Sequence, residues 1–278
     1  MKRQDAELDG AGGVRPQRRS WRPESPRAAL VLVHGYGEHC ARYENFGEWF
    51  AARGFAVHGY DLRGHGRSGG RVCHVDRFDE FLDDLGRMLA AVREEEPGRP
   101  LFLVGHSMGG LITCAFLSER HPDVAGAVVS GPALGLVDHF PLWRKLAARV
   151  MRRLLPKLSL PSGIDSSAVS RDPEVVRIYQ EDPLVHSTMT SSFAMEMLDA
   201  VERTAAGAAE VRAPLLILHG EADRLCPVEA SRAFAGKLAV PGSAIRTYPG
   251  LYHEIFNEPE QEAIFADAKD WLDERVAS

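Results

Sequence analysis

Gly105-His106-Ser107-Met108-Gly109 follows the apolar run Leu101–Val104 and opens a helical pattern, the context that a G-x-S-x-G nucleophile turn requires. The demand is steric. A tight strand-to-helix corner strains the serine backbone, and small neighbours at 105 and 109 let the two arms approach. A serine hydroxyl is a poor nucleophile until a base takes its proton, and that base needs a carboxylate to fix its tautomer. On an α/β sheet these partners belong on loops beyond later strands, acid first and histidine last. The chain supplies them in that order: Glu221 and Asp223 follow "LLILHG", and His253 follows "AIRTYPG". Asp223 is preferred over Glu221 because it lies further into its loop, just before a helix start. Ser107, Asp223 and His253 are therefore the candidate catalytic residues.

Acyl transfer also needs donors for a developing oxyanion. The N–H of Met108, directly after the serine, is one candidate, and the helix that starts there aims its free N–H groups and dipole at the site. The second is the N–H of Tyr36, in the glycine-rich loop "HGYGEHCARY". His34, Glu38 and His39 are expected to brace that loop through hydrogen bonds, and "DLRGHGRSGG", with His65, is expected to be structural. Cys226, three residues after Asp223, is the only cysteine expected near the site, as a small buried hydrophobe whose reaction with a bulky thiol reagent would slow the enzyme. No ligand spacing points to a metal or a cofactor.

These groups need a sheet to hold them. "AALVLVHG", "FAVHGYDL", "LFLVGHS", "VAGAVVSGP", "LLILHG" and "AIRTYPG" read as short strands buried on both faces. Helical patterns at 41–53, 78–95, 108–120, 228–239 and 260–275 alternate with them. The class is α/β with a mostly parallel sheet. Residues 28–131 and 206–278 form the expected core. Residues 132–205 break the alternation and read as an inserted helical cap. Its best helix is "HFPLWRKLAARVMRRLLPKL", with Trp143, Leu146, Ala147, Val150, Met151, Leu154 and Leu155 on one face and Arg144, Lys145, Arg149, Arg152 and Arg153 at the other positions. Residues 1–27, rich in Gly, Pro and Arg, are expected to be a loose arm contributing at best a short edge strand.

Composition narrows the classes further. The 278 residues, 45% hydrophobic and 26% charged, suffice for a large core. A net charge of −6 argues against general nucleic-acid binding. Four scattered cysteines without a C-x-x-C pair argue for free thiols. The polar N-terminus and the lack of a long apolar run make a cytoplasmic address the expectation.

With these pieces assembled, the chain resembles the monoacylglycerol lipase and lysophospholipase group of α/β-hydrolases, related to the serine aminopeptidase family. The resemblance rests on "HGYGEHCARY", "YDLRGHGRSGG", "GHSMGG", "DPLVH" at 182–186, "HGEADRLCP" and "GLYHEIFNEPE". It implies an α/β-hydrolase fold, Ser107 as nucleophile with Asp223 and His253, and oxyanion donors at Tyr36 and Met108. It also implies hydrolysis of long-chain carboxylic esters, monoacylglycerols or lysophospholipids, beneath a helical cap. A peptidase or small-ester carboxylesterase on the same triad, and a non-catalytic binding protein of the same fold, are the alternatives. The basic amphipathic cap helix adds an expectation of transient contact with an anionic membrane surface.

Overall fold

A computed structural model describes residues 2–8, 10–135 and 149–276 of the chain. Its centre is a sheet of eight strands: β1 Lys2–Glu7, β2 Gln17–Arg22, β3 Ala28–Val33, β4 Phe55–Tyr60, β5 Leu101–His106, β6 Gly126–Ser130, β9 Leu215–Gly220 and β10 Ala244–Tyr248. Their spatial order is β1-β2-β4-β3-β5-β6-β9-β10. From β4 to β10 every neighbouring pair is parallel. Every residue of β3, β4, β5, β6 and β9 is buried, as strands covered on both faces require.

The period-2 alternation of β3 divides the core. Ala29, Val31 and Val33 face one cluster, with helices α2 Asp79–Glu95 and α3 Met108–Glu119. Ala28, Leu30 and Leu32 face the other, with α1 Glu44–Ala51 and α7 Gln261–Val276. In α3 every residue except Glu119 is buried. A helix apolar all round is one enclosed on all sides. The loops after β3, β5, β9 and β10 all leave the same carboxyl edge of the sheet, with β3 and β5 meeting where the strand order reverses, a topological switch point.

Residues 1–27 depart from the expected loose arm. β1 and β2 pair antiparallel, and β2 pairs antiparallel with β4, extending the sheet by two strands. The cause is Trp21, fully buried against α1, where the missing Cβ of Gly47 makes room for the indole. Its Nε1–H donates to Glu44 at 2.9 Å. Glu96 accepts from Arg22 at 2.6 Å and anchors the same strand to the end of α2.

Between β6 and β9 the described residues form a small antiparallel pair, β7 Ser159–Pro161 with β8 Thr188–Thr190, and, besides the helical residues 149–154, the helices α4 Pro173–Glu181 and α5 Ser191–Ala206. Asp172 caps α4 through the N–H of Glu174, with Pro173 at the first helical position. Thr190 caps α5 through the N–H of Phe193. Of the basic helix expected at 139–158, residues 139–148, Trp143, Leu146 and Ala147 among them, lie outside the described residues; 149–154 are helical. The helix α6 Val228–Ala235 ends four residues earlier than expected.

Candidate active site

The strand β5 ends at His106 and α3 begins at Met108, so Ser107 alone makes the corner, with φ 52° and ψ −115°. For a non-glycine residue this is a strained conformation. The glycines on either side meet the expected need. A Cβ on Gly105 would lie 2.5 Å from the Gly109 carbonyl oxygen, and one on Gly109 would lie 2.0 Å from that of Val33. Ser107 accepts the N–H groups of Leu111 and Ala133 at 3.0 Å through its carbonyl, and its own N–H donates to Ser130.

Asp223 and His253, from the loops after β9 and β10, meet here. The Nδ1–H of His253 donates to Asp223 Oδ2 at 2.7 Å. Oδ1 of Asp223 accepts the N–H groups of Leu225 and Cys226, and its carboxylate is fully buried. Burial would raise this carboxyl, but His253, with the hydrogen bonds from His219 and His253, holds it far below its ordinary value. Burial would lower His253, but the Asp223 charge and hydrogen bond outweigh it and raise the imidazole above 6.5. Glu221, the other acid, is exposed and pairs with Arg232 and Thr247.

Both oxyanion candidates adjoin the serine. Met108 follows it in the chain, and a Cβ on Gly35, next to Tyr36, would lie 3.3 Å from Ser107 Cβ. Glu38 braces the loop by accepting the Gly35 N–H at 2.6 Å and the Tyr43 hydroxyl at 2.7 Å. His34 donates from Nδ1 to the Gly35 carbonyl and accepts the Leu62 N–H at Nε2. His39 braces the loop from its other side, donating across to Asp182 in "DPLVH" at 2.9 Å. The loop at 61–70 is structural as expected: Asp61 accepts the N–H groups of Cys40 and Arg67, and His65 donates to the Arg63 carbonyl.

Ser107 and His253 open into a cavity of about 300 Å³. Met189, Phe193, Met197 and Val201 from the insertion and Leu225 from the β9 loop give it apolar walls. Phe193, Met197 and Val201 recur every four residues along one face of α5. Cys226 also lines the cavity, and burial pushes its thiol well above 9, which disfavours the reactive thiolate. Asp223, Cys226 and His253 bring donor atoms within 4.8 Å of one another. As metal ligands they fit poorly, since both Asp223 oxygens and His253 Nδ1 are committed to hydrogen bonds and the thiol favours its protonated form.

Two neighbours were not singled out in the sequence. His219, hidden inside a strand-like run, donates from Nε2 to Asp223 Oδ2 and to the Cys226 carbonyl, both at 3.1 Å, and accepts from Ser231 at Nδ1. It gives Asp223 a second fixed donor. Glu254, adjacent to His253, is buried and receives both terminal nitrogens of Arg42 at 2.8 Å. Its signal was present: an acid beside the candidate base, followed by the apolar pair Ile255-Phe256.

Comparison with known proteins agrees with this architecture. The chain is 38% identical over 272 residues to a monoacylglycerol lipase of Mycolicibacterium smegmatis, covering 97% of each. It is 34% identical to the human monoglyceride lipase, over 94% of this chain and 87% of that protein. Among solved structures, a monoacylglycerol lipase of Paleococcus ferrophilus superposes with a TM-score of 0.81 at 34% identity, covering 100% of this chain and 99% of the other. The family model described as serine aminopeptidase, S33, matches residues 24–260, and the chain belongs to that family of α/β-hydrolases.

Proposed function

We propose that this protein is a serine hydrolase of monoacylglycerols or closely related lipid esters, acting through Ser107, His253 and Asp223. The observation that carries the reading is the opening of the strained Ser107 corner, with the His253–Asp223 pair, into an apolar cavity suited to an acyl chain. Ser107 Oγ attacks the ester carbonyl carbon as His253 Nε2 takes its proton. Asp223 stabilises the imidazolium that forms. The N–H groups of Tyr36 and Met108 receive the oxyanion of the tetrahedral intermediate. As the C–O bond breaks, His253 returns the proton to the leaving alcohol; water, activated by the same base, then cleaves the acyl-enzyme.

The nearest alternative is an aminopeptidase-type reaction, which would need acidic groups free to receive a substrate amine. Glu38 and Glu254 do line the cavity, but both are already bound by Arg42. The ester reading is favoured for that reason. Monoacylglycerols of increasing chain length, lysophospholipids, short p-nitrophenyl esters and aminoacyl amides, assayed side by side, test it. Long-chain monoacylglycerols should give the highest kcat/KM, and Ser107→Ala should lower turnover by roughly a millionfold. Preference for aminoacyl amides or only for short esters would reject the lipid assignment.

The same reading includes contact with lipid surfaces through the insertion. Val150, Leu154, Leu155 and Leu160 are exposed there, and exposed Ile164 also lines the cavity, so the apolar surface runs up to its rim. Arg149, Arg153 and Lys157 stand exposed among them.

A further inference from the structure

Two buried carboxylates share one guanidinium beside the candidate triad. Arg42 Nη1 donates to Glu38 Oε2 at 2.5 Å and to Glu254 Oε1 at 2.8 Å, while Nη2 donates to Glu254 Oε2 at 2.8 Å. All three side chains are nearly inaccessible, at 6% for Arg42, 3% for Glu38 and 5% for Glu254. Arg42 and Glu38 lie four residues apart on the loop after β3, whereas Glu254 is 212 residues from Arg42, and each carboxylate carries a piece of the site. Glu38 holds the Gly35 N–H and so the turn that aims Tyr36. Glu254 directly follows His253, and its N–H donates to the Val169 carbonyl of the insertion at 2.7 Å. Over the guanidinium lies the ring of Tyr179, from α4, at 4.7 Å.

We propose that Arg42 is a positioning residue that ties the oxyanion loop to the histidine loop by bridging Glu38 and Glu254, leaving one surplus buried negative charge beside His253. The inference rests on the serine-hydrolase reading of the site. Its logic lies in where the charges fall. A bare carboxylate at Glu38 would oppose an oxyanion forming at Tyr36, and Arg42 offsets it. The surplus of two carboxylates over one cation favours the imidazolium that His253 becomes on taking the serine proton.

The groups facing His253 support this sign. Asp223 accepts its Nδ1–H, and the Cys226 thiol on the same loop favours its neutral form. His106, from the end of β5, packs against His253 with ring centroids 4.8 Å apart and planes tilted by 53°, and is held down to about 4 by burial and by His253, so it stays neutral near pH 7. Tyr43 and Tyr179, beside Arg42, are pushed up by burial and stay neutral as well. Burial would raise Glu38 and Glu254, but Arg42 brings both below the ordinary carboxylate value. Asp223, Glu254 and Glu38 thus favour the charged form of His253, and Arg42 offsets one of these charges.

Glu254→Gln and Arg42→Lys separate charge from position, with a short p-nitrophenyl ester as substrate and melting curves to verify folding. Glu254→Gln keeps the shape and removes one negative charge. The acid limb of its kcat/KM profile should move to lower pH by roughly one unit, with kcat down about tenfold and KM little changed. Arg42→Lys keeps the charge, but one ammonium cannot fork across both carboxylates; kcat should fall while the acid limb stays in place. A folded Glu254→Gln enzyme with the wild-type limb and kcat would overturn the proposal, as would a loss confined to KM. If Arg42→Lys does not fold, Glu254→Gln alone decides. A fluorophosphonate that fails to label Ser107 in the wild type would reject the underlying function, a result distinct from either.

Discussion

Ser107 occupies a conformation that its side chain does not favour, and the strain is the local cost of exposing a hydroxyl at a strand-to-helix corner. Backbone held in such a region costs roughly 1–3 kcal/mol. Glycine would relieve most of it, while losing roughly 0.5–1 kcal/mol through its greater freedom in the unfolded chain. Ser107→Gly should therefore be more stable than Ser107→Ala by about 1 kcal/mol, or roughly 2 °C in Tm, although both are inactive. Equal melting temperatures would mean that the corner is unstrained. The candidate nucleophile, acid and base were legible in the sequence because Ser107 directly follows the strand β5, Asp223 lies three residues beyond β9 and His253 five beyond β10, so local pattern was enough to single them out. The ion cluster was not, because Arg42 and Glu254 are brought together only by the adjacency of the β3 and β10 loops at one edge of the sheet. Their pairing spans 212 residues.

At the scale of elements, buried runs such as "ALVLV" and "LLILHG" announced the parallel strands through composition alone. β1 did not, since Lys2–Glu7 contains one apolar residue and is exposed along most of its length. Its partner β2 is held by one large side chain rather than by a periodic stripe, which is why composition read residues 1–27 as a loose arm. That difference has a measurable consequence. Trp21 is fully buried with Phe46 and Phe50 in the cluster beneath α1. Trp21→Ala should cost about 3–5 kcal/mol in denaturant unfolding, as a large aromatic removed from a packed core does. A change within experimental error would restore the loose-arm reading. The insertion was read only in outline, because α4 has no buried residue and carries its meaning in single contacts, such as Asp172 at its cap and Tyr179 over Arg42.

At the scale of the whole molecule, an apolar ester has to reach a half-buried serine through the cavity beside the insertion. Among the described residues no helix is long and apolar enough to cross a membrane. Leu154 is 72% exposed, beside Leu155 and between basic side chains, a costly arrangement in water unless the face meets something apolar. Arg152 and Arg153 are neighbouring cations on this helix. They are not equivalent: Arg152 is bound to Glu196 and Asp199 on α5 and serves as an anchor. The relevant changes are therefore Arg149→Glu with Arg153→Glu for charge, and Leu154→Ser with Leu155→Ser for insertion. In flotation with vesicles rich in phosphatidylserine, the wild type should bind and lose binding as salt rises, since each basic residue near such a surface contributes about 1 kcal/mol. The charge pair should abolish the salt dependence, and the leucine pair should weaken binding at every salt concentration. Neither pair should alter turnover of a short water-soluble ester, because the triad and the cavity walls are untouched. Equal flotation of all three proteins would remove the lipid-surface reading and leave entry of a freely dissolved monomer as the route to Ser107.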